Sequence, residues 1–187
     1  MFDDITPQYW ITALATLGLL GTATFTDLRS REIPNPLVLA GLLAGGVIWT
    51  WFHGTTGLGL SLLGGFIGLT VFLVMALVGA MEMGDVKLMG ALGALLGWPW
   101  VVAGLIHVVM AGFFFAIFWV ILHGHARRTL SNLWIALKTW LKPGSPRVPL
   151  AQLPTTPLPY GVAIALGGLW TLLAIQIPRI NLVSSMF

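Results

Sequence analysis

Residues 83–88, MGDVKL, place an aspartate directly after a glycine, at the end of a long apolar stretch. A charged side chain beside apolar segments of membrane length is costly, so such a residue usually has a function. A second aspartate, Asp27, ends an earlier apolar stretch in residues 26–35, TDLRSREIPN. We therefore expect the chain to fold so that Asp27 and Asp85 meet at one membrane face.

The composition is that of an integral membrane protein. Of the 187 residues, 57% are hydrophobic and only 8% are charged, whereas soluble domains are about one quarter charged. A single domain over residues 1–187 accounts for this length. Because the chain has no cysteine, disulfides, thiolate zinc sites and cysteine nucleophiles are excluded.

Six apolar segments are candidates for membrane-spanning helices, which need about 20 residues each. A glycine-rich turn at residues 54–57 separates the second from the third, and the fourth is short. The sequence thus predicts an all-α polytopic protein with about six transmembrane helices. The segments run over about residues 9–26, 37–52, 58–81, 86–98, 100–122 and 158–177.

The distribution of basic residues supports six spans. If every segment crosses the membrane, only Arg179 lies opposite the other Lys and Arg residues, so the positive-inside rule makes their side cytoplasmic. Both termini would then lie outside the cytoplasm. The residues on the predicted cytoplasmic side are Arg29, Arg31, Lys87, Arg127, Arg128, Lys138, Lys142 and Arg147.

The same topology puts Asp27 and Asp85 at the cytoplasmic face, but only helix packing can bring them together. Three pairs of glycines at four-residue spacing could allow close helix approach, although glycine is also simply common in membrane helices. The pairs are Gly41 with Gly45, Gly64 with Gly68, and Gly93 with Gly97.

Residues 123–157 differ in composition from the apolar segments. Leucines at helical spacing alternate with basic residues up to Lys142, which predicts a basic amphipathic helix on the inner leaflet. A solvated connecting helix is the alternative. The prolines that follow predict a semi-rigid extended linker. Because topology explains the basic residues, the net charge of +3 does not indicate nucleic-acid binding.

Two carboxyl groups held a few ångströms apart do not both ionise easily, so one keeps its proton. The ionised member can take a proton from water while the protonated member polarises a peptide carbonyl, as in aspartic proteases. Gly84 would leave room for a substrate backbone, and Lys87 could pair with a carboxylate or a lipid phosphate. Glu32 and Glu82 share this edge, as substrate-binding acids or as solvated residues.

The histidines and tryptophans give weaker signals. The four histidines show no metal-ligand spacing, and His107, inside an apolar segment, is expected to be buried and hydrogen-bonded. Four tryptophans are expected in an outer interfacial belt. They are Trp49, Trp51, Trp98 and Trp100.

At these positions the chain resembles the type IV prepilin peptidase family, intramembrane aspartic proteases of the GxGD class. Residues 27–35, with Asp27-Leu28 and Ile33-Pro34-Asn35, resemble its first catalytic block. Residues 84–88, GDVKL, resemble the second, and residues 159–163, PYGVA, the block that opens its last helix.

The resemblance implies that Asp27 and Asp85 are the catalytic pair and that Gly84, Lys87, Glu82, Pro34 and Asn35 support the site. It also implies a prokaryotic inner-membrane enzyme that removes the basic leader of prepilins or pseudopilins at the cytoplasmic face. Proteolysis of this kind requires no metal or other cofactor. The oligomeric state is left open.

Two departures from the family pattern are notable. Glu82 stands where GxGD has its first glycine, which places a third carboxylate near the pair. Longer members carry a four-cysteine zinc domain and methylate the new N-terminus with S-adenosylmethionine. This chain has no cysteine and no room for that domain between Tyr9 and Leu37, so it resembles the short class that serves Tad-type pili. S-adenosylmethionine would matter only for that second activity, which the sequence does not support.

Composition and topology alone leave other functions open. Intramembrane carboxylates also bind ions or protons in small transporters, and a non-enzymatic assembly scaffold would need neither aspartate. Both aspartates lie at a boundary rather than at mid-membrane, and no inverted repeat is visible, which argues against transport.

Overall fold

The computed structural model describes residues 7–77, 79, 81–122 and 160–176. These residues form five helices, which confirms the all-α prediction for the described part of the chain. The predicted amphipathic helix and linker of residues 123–157 lie outside it, as do both termini. The helices are α1 (Pro7–Ser30), α2 (Asn35–Leu77), α3 (Met83–Leu96), α4 (Trp100–Leu122) and α5 (Tyr160–Gln176).

Helix α2 bends at a single residue. Gly54 has φ 61° and ψ −146°, a left-handed conformation that side chains disfavour and glycine adopts readily. The chain reverses there, and a Cβ on Gly57 would overlap the carbonyl of Trp49. The predicted turn at residues 54–57 is therefore too long, because residues 55–57 are already helical. The second half ends at Leu77 rather than at residue 81.

Helix α3 lies between the two halves of α2, parallel to the first and antiparallel to the second. On the first half, a Cβ on Gly45 would stand 2.5 Å from the carbonyl oxygen of Ala94. On the second half, a Cβ on Gly64 would overlap the backbone of Gly93, and the reverse also holds. Direct backbone contact of this kind requires glycine, so these predicted positions do mediate close packing.

Two side-chain hydrogen bonds fix the far end of α3. The hydroxyl of Ser61 donates to the carbonyl of Ala94 at 2.8 Å, and the indole Nε1–H of Trp49 donates to the carbonyl of Leu95 at 3.0 Å. These carbonyls belong to the last turn of α3, whose carbonyls have no partner within the helix. The two halves of α2 thus cap α3 from opposite sides.

The predicted tryptophan belt is partly wrong. Trp51 is 83% exposed, as the prediction requires, but Trp49 is 0% and Trp100 is 7% exposed. Trp49 packs against Gly97, where a Cβ would lie 2.5 Å from the indole Cε2. Two of the four tryptophans therefore fill the protein interior, where the indole N–H of Trp49 is satisfied by a helix carbonyl.

Helix α5 runs antiparallel to both α1 and α4. The hydroxyl of Tyr9 donates to the carbonyl of Leu172 at 3.0 Å, which joins the start of α1 to the end of α5. His107 of α4 shares a hydrogen bond of 3.1 Å with the hydroxyl of Thr171 and stacks on Trp170 at 5.2 Å. The prediction that His107 is buried and hydrogen-bonded is confirmed.

Three of the described helices are long and apolar enough to cross a membrane, namely α1, α2 and α4. Helix α3, with 14 residues, is about 21 Å long and is shorter than the roughly 30 Å hydrocarbon core. Six spans remain a prediction. The packing nevertheless brings the end of α1 and the starts of α2, α3 and α5 to one end of the bundle.

The contact between α2 and α3 predicts that Gly64→Ala destabilises the fold. The new methyl group would overlap the backbone of Gly93, and such overpacking costs about 1–3 kcal/mol. Unfolding in detergent would measure the change. Gly59→Ala in the same helix is the matched control, because a Cβ there meets nothing within 4 Å. Equal stability of the two variants would show that the contact is not tight.

Candidate active site

The two predicted catalytic aspartates lie at the same end of the bundle. Asp27, near the end of α1, is 9% exposed, and Asp85, in the first turn of α3, is 5% exposed. The negative charge of Asp27 acts on the carboxyl group of Asp85. The fold therefore brings together two buried acids that are far apart in the sequence.

The first turn of α5 contacts Asp27 directly. The backbone N–H of Gly161 donates to Oδ2 of Asp27 at 3.1 Å. A Cβ on Gly161 would stand 2.5 Å from that oxygen, so this close approach requires glycine. The N–H groups of a first helical turn have no partner within their helix, and the carboxylate of α1 supplies one. The sequence marked residues 159–163 only by resemblance, without a role for Gly161.

Arg31 lies beside Asp27 in a conformation unusual for its residue type. Its φ is 54°, and its backbone N–H donates to the backbone carbonyl of Asp27 at 2.9 Å. This is a left-handed closure of the helix end, a position that glycine normally occupies. The closure keeps the guanidinium close enough for its positive charge to act on the Asp27 carboxyl group.

Asp85 has a neighbour of its own sign, Glu82, whereas Asp27 has the cation Arg31. Glu82 is the N-cap of α3, and its carbonyl accepts the backbone N–H of Asp85 at 3.2 Å. Its negative charge acts on Asp85, so the residue that replaces the first glycine of GxGD does lie within electrostatic range. The half-buried Tyr160 also interacts with the charge of Asp85, a neighbour that the sequence did not indicate.

The role of Gly84 in leaving room for a substrate stays a prediction, and Lys87 has an amide partner. A Cβ on Gly84 would meet the side chain of Ile33 at 3.6 Å, an ordinary contact, so packing among the described residues does not require glycine there. The ammonium group of Lys87 donates to Oδ1 of Asn35 at 3.0 Å. Lys87 therefore pairs with an amide and not with a carboxylate.

Pro34 and Asn35 lie at the start of α2. The carbonyl of Pro34 accepts the backbone N–H groups of Leu37 and Val38, at 3.1 and 3.3 Å. Asn35 is exposed and, through Lys87, ties the start of α2 to the second turn of α3. Asn35 thus contacts α3, on which Asp85 lies, whereas the hydrogen bonds of Pro34 stay within the start of α2. In the described ranges, no group of three His, Asp or Glu side chains is arranged to hold a metal ion.

A groove of about 1000 Å³ opens between the two halves of α2, lined by Leu62, Phe66 and other apolar side chains, with Ala94 of α3 in its wall. Ala94 lies nine residues after Asp85, and at about 100° per residue this places the two on opposite sides of α3. The groove is therefore separated from the aspartates by the width of a helix.

Comparison with known proteins identifies the family. The profile of the type IV leader peptidase family matches residues 14–122, a range that contains both aspartates. The prepilin leader peptidase/N-methyltransferase of Aeromonas hydrophila is 32% identical over 122 residues, covering 62% of this chain and 42% of that protein. The corresponding protein of Aeromonas salmonicida strain A449 matches to the same extent.

The chain thus spans about two fifths of the length of these curated relatives. No solved structure matches it. Because the family profile covers more than half of the chain, this membrane protein belongs to the type IV leader peptidase family.

Proposed function

We propose that this chain is an aspartic endopeptidase that removes the basic leader of type IV prepilins or pseudopilins at the cytoplasmic face of the membrane. The observation that carries the proposal is the meeting of Asp27 and Asp85, both largely buried, at one end of the bundle. Two such carboxyl groups in mutual electrostatic contact are what water activation without a metal needs. Membership of a leader peptidase family supplies the class of substrate.

The chemistry follows from one shared proton. The ionised carboxylate takes a proton from a water molecule, whose oxygen attacks the carbonyl carbon of the scissile peptide. The protonated carboxyl group donates its proton to the carbonyl oxygen, which gives a tetrahedral diol. When the C–N bond breaks, the leaving nitrogen receives a proton from the carboxyl group that first accepted one. A hydroxyl group of the diol returns its proton to the other carboxylate as the carbonyl forms again, so the two aspartates regain their starting protonation states.

The charges at this end suit a positively charged leader. Glu32 and Glu82 are exposed and lie next to the aspartates in the sequence. Arg29, Arg31 and Lys87 offset part of their charge, so the acids steer the leader locally rather than through a large field. The apolar part of the substrate that follows the leader would stay in the lipid. We propose the peptidase step alone and not methylation of the product.

Asp27→Asn and Asp85→Asn are each expected to lower cleavage by at least about 10³-fold, because either change removes one member of a proton-transferring pair. Each variant would be co-expressed with a panel of prepilins from the same genome. Loss of the leader would be followed by gel shift and by mass spectrometry, which also locates the scissile bond.

Gly21→Ala is the matched control for these variants. It lies on α1, and a Cβ there meets nothing within 4 Å, so it should cleave like the wild type. Full activity of either Asn variant would refute the catalytic assignment. If correctly inserted wild-type protein cleaves no prepilin, the peptidase proposal fails, and Asp85-dependent proton flux in liposomes would favour a transporter.

The groove between the halves of α2 is not expected to take part in cleavage. Leu62→Ala and Phe66→Ala change its lining, but α3 stands between them and Asp85. Their kcat/KM should stay within about twofold of the wild type, which corresponds to less than about 0.5 kcal/mol. A tenfold loss in either variant, with insertion unchanged, would show that the substrate reaches the site through the groove.

A further inference from the structure

We infer that the two aspartates are unequal and that the surrounding residues fix their roles: Asp27 is the ionised base and Asp85 holds the shared proton. Gly161, Arg31 and Glu82 are positioning residues for this division. The inference rests on the proposed function, but its main test below requires no cleavage.

Burial disfavours the charge of Asp27, and two neighbours oppose that effect by stabilising the carboxylate. The N–H of Gly161 points at Oδ2 from 3.1 Å, and it belongs to the first turn of α5, where the helix dipole is positive. A hydrogen bond to a carboxylate and a nearby cation both stabilise the charged state. The cation is Arg31, which the left-handed closure of α1 holds in place.

The surroundings of Asp85 favour its protonated form. Burial disfavours its charge, and the negative charge of Glu82 acts in the same direction, since a like charge disfavours ionisation. The repulsion between Asp27 and Asp85 is mutual, so it favours one shared proton without deciding which group holds it. The backbone of Glu82 acts in the opposite direction and favours the ionised form. The asymmetry therefore comes from the 3.1 Å hydrogen bond that Gly161 donates to Asp27 and from the charged neighbours, since Arg31 accompanies Asp27 whereas Glu82 accompanies Asp85.

The remaining titratable groups near the pair do not alter this balance. Tyr160 of α5 interacts with Asp85, but a phenol is neutral near pH 7. Lys87 is held by Asn35 of α2. On α4, His107 contacts Thr171, ten residues along α5 from Gly161 and thus about 15 Å away.

The division can be measured by infrared titration of the protein in detergent or nanodiscs, following the carbonyl stretch of a protonated carboxyl group. Asp85→Asn leaves Asp27 as the only member of the pair, and Asp27→Asn leaves only Asp85. We expect the lone Asp27 to lose its proton at a lower pH than the lone Asp85. Equal midpoints, or the reverse order, would overturn the inference whether or not the protein cleaves prepilins.

Glu82→Gln tests the charge on the Asp85 side with a variant expected to fold, because Glu82 is exposed. In the Asp27→Asn background, removing this like charge should lower the midpoint of Asp85 by at least about half a pH unit. Glu32→Gln is the matched control, since Glu32 is also an exposed acid near the site, and it should shift the midpoint less. Equal shifts in the two variants would contradict the role of Glu82.

Gly161→Ala tests the hydrogen bond that stabilises the ionised form of Asp27. In the Asp85→Asn background its methyl group displaces the Asp27 carboxylate from the N–H, so the midpoint of Asp27 should rise, whereas Gly21→Ala should leave it unchanged. In an otherwise wild-type enzyme that cleaves, Glu82→Gln should move the alkaline limb of the kcat profile to lower pH, and the loss of an acid that steers the leader should appear separately as a higher KM. An unmoved profile would show that Asp85 is not the group that must stay protonated.

Discussion

Backbone contact between α2 and α3 is the constraint on which the site depends. Helix α3 has 14 residues, and from Leu88 to Leu96 every one of them is buried. A helix so short can be placed only by its neighbours. Gly64 and Gly93 let the backbones touch, and the bonds from Ser61 and Trp49 to its last carbonyls fix its rotation. That rotation turns Asp85 toward α1 and away from the groove.

Helix ends, rather than helix middles, supply the polar groups of the site. A bilayer offers no water to unpaired backbone groups, so they must find partners inside the protein. The start of α5 has free N–H groups, and the carboxylate near the end of α1 accepts one of them. This one hydrogen bond gives an N–H group at the start of α5 its partner, and it also holds the carboxylate of Asp27 in position.

The aspartates, the glycine pairs and His107 could be predicted from the sequence because a charge, a missing side chain or an imidazole within an apolar stretch is locally visible. The burial of Trp49 and the role of Gly161 could not. In a membrane protein the lipid-facing and interior surfaces are both apolar, so periodicity does not separate Trp49 from Trp51. Gly161 contacts a carboxylate 134 positions away, and only the packing of α1 on α5 reveals it.

The bend at Gly54 has a consequence for how the chain enters the membrane. A straight helix of 43 residues would measure about 65 Å, roughly twice the hydrocarbon thickness. Because the chain reverses at one residue, Gly54, no hydrophilic loop joins the two halves of α2. The two halves therefore form a helical hairpin, and the place that α3 occupies exists only when both halves of that hairpin are present.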